Sequence, residues 1–202
     1  MNLPNKLTVL RVILIPVFIV FLMGEVAGDA SCWIALGVFC IASVTDCLDG
    51  MIARKYNLIT NFGKFMDPLA DKLLVSSALI CFIELGLLPS WFVIVIISRE
   101  FIISGFRLVA SDNGLVIAAS FWGKIKTVFQ MAMTIFFIVL YGIKPACYLW
   151  DNFMLVDYSG GILKVSVLTV IATALAWISL ILTVISLIDY IIKNKDIMKD
   201  KK

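Results

Sequence analysis

Six stretches of the 202-residue chain stay apolar for close to the ~20 residues a helix needs to cross a hydrocarbon core. They are Leu7–Met23, Cys32–Val44, Leu69–Gly86, Ser90–Val109, Ile125–Tyr141 and Leu163–Ile192. Glycine, proline or polar clusters separate them, among them "MGEVAGDAS", "GLLPS", "SDNGL" and the longer "YGIKPACYLWDNFMLVDYSGG". The second stretch has no such stop, and its helical pattern runs on into "TDCLDGMIARK". No internal repeat is visible, which disfavours a transporter built from duplicated halves. The pattern predicts an all-α, polytopic membrane protein with six transmembrane helices, forming a single integral-membrane domain over residues 1–202.

Composition agrees: 62% of residues are hydrophobic, 15% are charged and the mean hydropathy is +1.05, outside the range of soluble domains. The first stretch lacks a small-residue cleavage site and reads as a retained anchor. Cysteines 32, 40, 47, 81 and 147 form no CxxC pair, so neither a disulfide frame nor a zinc site is indicated. Every Lys and Arg except Lys144 and Lys164 falls on one side of the predicted membrane. Cytoplasmic loops accumulate these residues, so both termini and the segment between the second and third spans are expected to face the cytoplasm from the cell membrane. The basic tail from Lys193 onward suits an anionic leaflet, and no nucleic-acid partner is expected.

That cytoplasmic segment carries four aspartates, Asp46, Asp49, Asp67 and Asp71, within 26 positions. Asp46, Asp49, Gly50, Ala53 and Arg54 are spaced i, i+3, i+4, i+7 and i+8, so a continuing helix presents them on one face. Gly63, Asp67 and Asp71 repeat the logic at i, i+4 and i+8 on the next helix, after a short turn containing Asn57, Thr60 and Asn61. Two such helices can bring four carboxylates into one cleft, where their mutual repulsion calls for a cation. The chain has no histidine, and an all-oxygen donor set favours Mg²⁺, Mn²⁺ or Ca²⁺. Gly50, Ala53 and Gly63 leave room for a ligand to approach the backbone, and Arg54 offers a fork that matches phosphate. Singly, these residues would read as helix caps, salt bridges or close-packing positions. Together, at the edge of a membrane, they read as a functional site.

The ordered pattern Asp46-x2-Asp49-Gly50-x2-Ala53-Arg54-x8-Gly63-x3-Asp67-x3-Asp71 resembles the signature of the CDP-alcohol phosphatidyltransferases, with no position out of place. Eight specified positions would coincide by chance on the order of 10⁻¹⁰ per starting point. Members of that family join an alcohol to the phosphatidyl group of a CDP-lipid and release CMP. The resemblance implies six transmembrane helices, a homodimer, and a cytoplasm-facing site with two divalent ions, Mg²⁺ or Mn²⁺. It implies Asp46, Asp49, Asp67 and Asp71 as metal ligands, with Asp71, the last position, also as general base.

Outside the signature, "NLPNKLTVLRVILIPVF", "SREFIISGFRLVA" and "GKIKT" are similar to the phosphatidylglycerophosphate synthases within that family. CDP-diacylglycerol and glycerol 3-phosphate are then the expected substrates. A glycerol 3-phosphate dianion needs cations of its own, and Arg99 and Arg107, eight apart on one helix face, can converge on a phosphate. Lys124 and Lys126 lie about 200° apart around a helix, so both reach one ligand only if a helix begins near them. Otherwise they anchor the chain at the cytoplasmic face. Glu100 either orients Arg99 or pairs elsewhere. Asn5, Thr8 and Arg11 form a polar stripe on the first span; Asn5 and Thr8 either touch the nucleotide or simply open the helix. Two alternatives stay open. One is the same chemistry on another acceptor, giving cardiolipin, phosphatidylserine or phosphatidylinositol phosphate. The other is a divalent-cation transporter using the carboxylates as a transit site, although such sites are favoured near mid-membrane.

Overall fold

The computed structural model describes residues 3–24, 26–55, 61–112, 120–143, 147–151, 153–159 and 162–194. Within its helices the side chains of residues 3–5, 46–55, 61–68, 71, 109, 111 and 112 lie outside the described set. Among the described residues there are six α-helices: α1 (Leu3–Met23), α2 (Ser31–Lys55), α3 (Asn61–Glu84), α4 (Ser90–Asp112), α5 (Phe121–Ile143) and α6 (Val167–Lys193). A short 3-10 turn, Gly28–Ala30, leads into α2.

Each helix falls on one predicted stretch: α1, α2, α4 and α5 cover theirs and extend it, while α3 stops two residues short of Gly86 and α6 starts four residues after Leu163. α2 continues through the aspartate segment as its pattern requires, and α3 begins at Asn61 and not at Leu69. Four segments are long and apolar enough to cross a membrane: Lys6–Met23, Gly28–Thr45, Phe121–Ile143 and Val167–Lys193. α3 and α4 match them in length but carry charge, Lys64, Asp67, Asp71 and Lys72 on one and Arg99, Glu100, Arg107 and Asp112 on the other. The chain is a helical multi-pass membrane protein, and its candidate chemistry is spread over α1 to α5.

The chain divides into two compact units, Met1–Leu87 with Thr134–Tyr148, and Leu88–Met133 with Leu149–Lys202. In the first, α1 packs against α2 and α3. Ala35 and Ala42 of α2 and Ala70 and Ala78 of α3 are fully buried, and small residues let helix backbones approach closely where water does not drive association. Phe18 of α1 meets Phe39 of α2 with ring centroids 5.6 Å apart, and Phe82 of α3 meets Phe137 of α5 at the same distance. Side-chain hydrogen bonds tie elements of this unit: Ser31 Oγ donates to the Phe21 carbonyl at 2.6 Å, Cys32 Sγ to the Ile138 carbonyl at 3.1 Å and Tyr148 Oη to the Leu140 carbonyl at 3.2 Å.

In the second unit α4 packs on α6. The long segment read as a polar connector contains a three-stranded sheet, ordered β1 (Cys147–Asp151), β2 (Met154–Ser159) and β3 (Ile162–Lys164). β2 and β3 pair antiparallel, with Asp157 opposite Lys164 and Ser159 opposite Ile162. The strand signal was present in "YLW" and "MLVDY", short aromatic and β-branched runs bounded by "DN" and "SGG", but each run is too short to compete with a span. Leu163, expected at the start of the sixth span, sits in β3. α6 opens four residues later behind a capping box, in which Ser166 Oγ accepts from Thr169 N–H and Thr169 Oγ1 from Ser166 N–H. The sheet is pinned to α6 by Leu155 N–H donating to Thr173 Oγ1 at 3.1 Å and Trp177 Nε1 donating to the Phe153 carbonyl at 2.9 Å.

α3 ends in a Schellman closure: Leu87 N–H donates to the Phe82 carbonyl at 2.8 Å and Gly86 N–H to that of Ile83 at 3.0 Å. Gly86 has φ +68°, and a Cβ there would lie 2.5 Å from the Tyr148 carbonyl oxygen. Gly86→Ala therefore meets both a left-handed backbone and a backbone clash. It is expected to lower stability by on the order of 1–3 kcal/mol, seen as a lower apparent Tm in detergent.

Candidate functional site

The signature falls on the facing ends of two consecutive helices. Asp46, Asp49, Gly50, Ala53 and Arg54 occupy the last three turns of α2, which stays helical to Lys55, so their spacing holds on one face. Gly63, Asp67 and Asp71 occupy the first three turns of α3. Only residues 56–60 join the two, α2 and α3 pack together, and both pack on α1 within the first unit. The side chains of all eight lie outside the described residues. Their donor chemistry is clear from their identity: four carboxylates with no imidazole or thiolate among the proposed ligands, a set that fits a hard divalent cation.

α1 supplies the next polar group. Thr8 and Arg11 are completely buried, and Arg11 is among the largest fully buried side chains of the protein. Asn5 lies one turn before Thr8 on the same helix, with its side chain outside the described set. Arg11 entered the sequence reading only as part of a stripe. Burial of a whole guanidinium marks it as a working part of the first unit, because such a charge is held inside only by compensating groups.

The second unit holds a buried ionic cluster. Arg99 of α4 is 7% exposed and Lys126 of α5 only 1%. Glu100 joins them: its Oε1 accepts from Arg99 Nη1 at 3.2 Å and also from Lys126 Nζ. Arg99 Nη2 donates to Ser186 Oγ on α6. Gly123 leaves space for this arrangement, since a Cβ there would stand 3.6 Å from both Arg99 Nη2 and Ser186 Oγ and 3.3 Å from Ser120 Oγ. Among the described residues, one carboxylate thus contacts two buried cations.

The four expected cations are separated by burial. Arg99 and Lys126 come together around Glu100, while Arg107 and Lys124 are exposed. α5 does begin at Phe121, just ahead of both lysines, yet their ~200° separation still sends one side chain inward and the other outward.

The sequence profile of the CDP-alcohol phosphatidyltransferase family matches residues 1–192. The chain belongs to that family. Two curated relatives, from Bacillus subtilis and Haemophilus influenzae, carry the name CDP-diacylglycerol–glycerol-3-phosphate 3-phosphatidyltransferase. The first is 53% identical, over 62% of this chain and 70% of that protein, and the second 44% identical, over 64% and 71%.

For this phosphatidyltransferase, the open question of Glu100 is resolved by geometry, since it both contacts Arg99 and pairs with Lys126. Ser186 was missed. A serine inside an apolar helix gives no signal of its own, and only the packing of α4 on α6 reveals its partner. Removing the carboxylate of Glu100 would take a shared anionic partner from two buried cations. With the Glu100 side chain 23% exposed, part of that cost is screened by solvent. Glu100→Gln is expected to cost about 2 kcal/mol, read as a fall in apparent Tm, with Glu100→Ala falling further.

Proposed function

We propose that this phosphatidyltransferase moves the phosphatidyl group of CDP-diacylglycerol to glycerol 3-phosphate, giving phosphatidylglycerophosphate and CMP. The observation that carries the choice of acceptor is the buried Arg99–Glu100–Lys126 cluster, whose two cations suit a phosphorylated alcohol. The names of the two relatives support the same acceptor. An uncharged alcohol would give no reason to maintain two cations away from water.

In this reading the reaction is carried mainly by positioning and charge neutralisation. Asp46, Asp49, Asp67 and Asp71 hold two divalent ions, Mg²⁺ or Mn²⁺, which when bound supply neutralising charge for the diphosphate of the CDP-lipid. Arg54 steadies that diphosphate through its planar fork, and Gly50, Ala53 and Gly63 keep space beside it. Asn5 and Thr8 contact the nucleotide. Arg99 and Lys126 hold the acceptor's phosphate, and the exposed Arg107 and Lys124 attract it from solution. The acceptor hydroxyl attacks the lipid-bearing phosphorus, the bond from that phosphorus to CMP breaks, and the hydroxyl proton passes to Asp71. With no histidine in the chain, a carboxylate is the natural general base. The protein works as a homodimer in the cell membrane, with both termini and the site on the cytoplasmic side. That orientation is supported by the one-sided distribution of its basic residues.

Purified protein given CDP-diacylglycerol, Mg²⁺ or Mn²⁺ and each candidate alcohol is expected to release CMP with glycerol 3-phosphate and far less with glycerol, serine or phosphatidylglycerol. Equal release with free glycerol would refute the acceptor assignment. Cation uptake into proteoliposomes without CDP-lipid would favour a transporter instead.

Asp71→Asn keeps the size of the side chain and loses its ability to take a proton. Its kcat is expected to fall by roughly 10²–10⁴ while CDP-diacylglycerol binding weakens much less than in Asp46→Asn. Near-normal turnover of the Asp71→Asn protein would move the base elsewhere.

A further inference from the structure

The Arg99 guanidinium is held at two of its three nitrogens, and the way it is held leaves the third with a direction. A guanidinium is a rigid plane with five N–H donors. Nη1 is engaged by Glu100 on α4 itself, and Nη2 by Ser186 on a different helix, α6. Two anchors on two elements fix both the position and the plane of the group. Nε is buried and has no hydrogen-bond partner among the described residues. The Arg99 side chain is 8% exposed, so water does not substitute freely, and a buried donor left unpaired is costly. Such a donor is the mark of a site completed by a ligand.

Ser186 behaves differently from the threonines Thr173 and Thr183 of its helix. Thr173 and Thr183 donate back to the carbonyls of Thr169 and Ser179, at 2.8 and 2.7 Å, as hydroxyls in apolar helices ordinarily do. The Ser186 oxygen instead accepts from Arg99 across the α4–α6 contact. The neighbouring position on α5 is Gly123, whose missing side chain keeps the space beside Nη2 and Ser186 Oγ open. Glu100 is shared with Lys126, so Arg99 does not hold its carboxylate alone.

We propose that Ser186, acting with Glu100, is a positioning residue for acceptor specificity: it sets the plane of the Arg99 guanidinium so that the buried Nε is presented to the phosphate of the acceptor. This rests on the reading of Arg99 as part of the acceptor site. It adds a residue of the last helix that touches the substrate only through Arg99. Removing the hydroxyl leaves the charge in place but frees the plane to turn, so the loss falls on binding of the phosphorylated alcohol and not on the CDP-lipid.

The test compares Ser186→Ala, Ser186→Thr, Arg99→Lys and the Ser186→Ala/Arg99→Lys pair in steady-state assays of CMP release, varying each substrate in turn. Ser186→Ala removes one oxygen, and a size-exclusion profile and apparent Tm close to those of the parent protein establish that the fold is intact. The expected result is a KM for glycerol 3-phosphate raised roughly tenfold in Ser186→Ala, with kcat and the KM for CDP-diacylglycerol within twofold of the parent. Ser186→Thr, which restores the hydroxyl, is expected to recover most of the loss. In the Arg99→Lys background, where there is no plane to set, Ser186→Ala is expected to change the glycerol 3-phosphate KM by less than twofold. If Arg99→Lys raises that KM and Ser186→Ala alone does not, the positioning role is overturned while the acceptor site stands. If Arg99→Lys itself leaves it unchanged, Arg99 is outside the acceptor site and both readings fall. Equal increases in the KM of both substrates would make Ser186 a packing residue and would also overturn the proposal.

Discussion

Charge held in apolar surroundings is the constraint on which the rest of this structure depends. Arg99 and Lys126 lie almost wholly out of water on helices whose lengths suit a membrane, where an uncompensated cation is very costly. The compensation is local and shared. Glu100, adjacent to Arg99 in sequence, reaches both cations, and Ser186 adds a neutral acceptor from α6. This arrangement requires α4 and α6 to pack closely. The buried face of α6 includes the small residues Ala172, Ala176, Ser179, Thr183 and Ser186 beside Leu180 and Tyr190. Thr173 and Thr183 satisfy their hydroxyls on their own helix, whereas Ser186 accepts from Arg99 of α4.

The first unit solves a related problem differently. Its small buried alanines sit on α2 and α3, and α1 packs against both. These contacts hold the apolar parts of α2 and α3 together, so the acidic stretches at the linked ends of the two helices are carried by packing elsewhere along them. The buried Thr8 and Arg11 place polar groups on α1 as well, so none of the three helices is purely a scaffold.

A family resemblance and a structure inform different levels of this picture. The profile match over residues 1–192 establishes the class of chemistry, which the aspartate signature already expressed in its spacing. The structure places those signature residues on the last three turns of α2 and the first three of α3. Its contribution lies in the second unit, where identical residue types prove to have unlike surroundings: Arg99 is buried and doubly held, Arg107 exposed, Lys126 paired and Lys124 exposed.

By itself the sequence determined the helices and the signature. A bilayer imposes the length of an apolar run, so spans are readable without knowing what packs on them, and the 3.6-residue period puts Asp46, Asp49 and Arg54 on one face wherever the helix lies. The helix boundaries at Asn61 and Val167, and the small sheet of residues 147–164, were less legible, because short strands and charged helix ends carry little hydrophobic signal. Only the tertiary structure could distinguish Arg99 from Arg107, assign Glu100 to two partners and bring Ser186 across 87 residues to a guanidinium. The reason is physical: helical periodicity specifies which residues share a face, whereas burial and partnership depend on which other helix covers that face, and that is decided by packing between segments far apart in the chain.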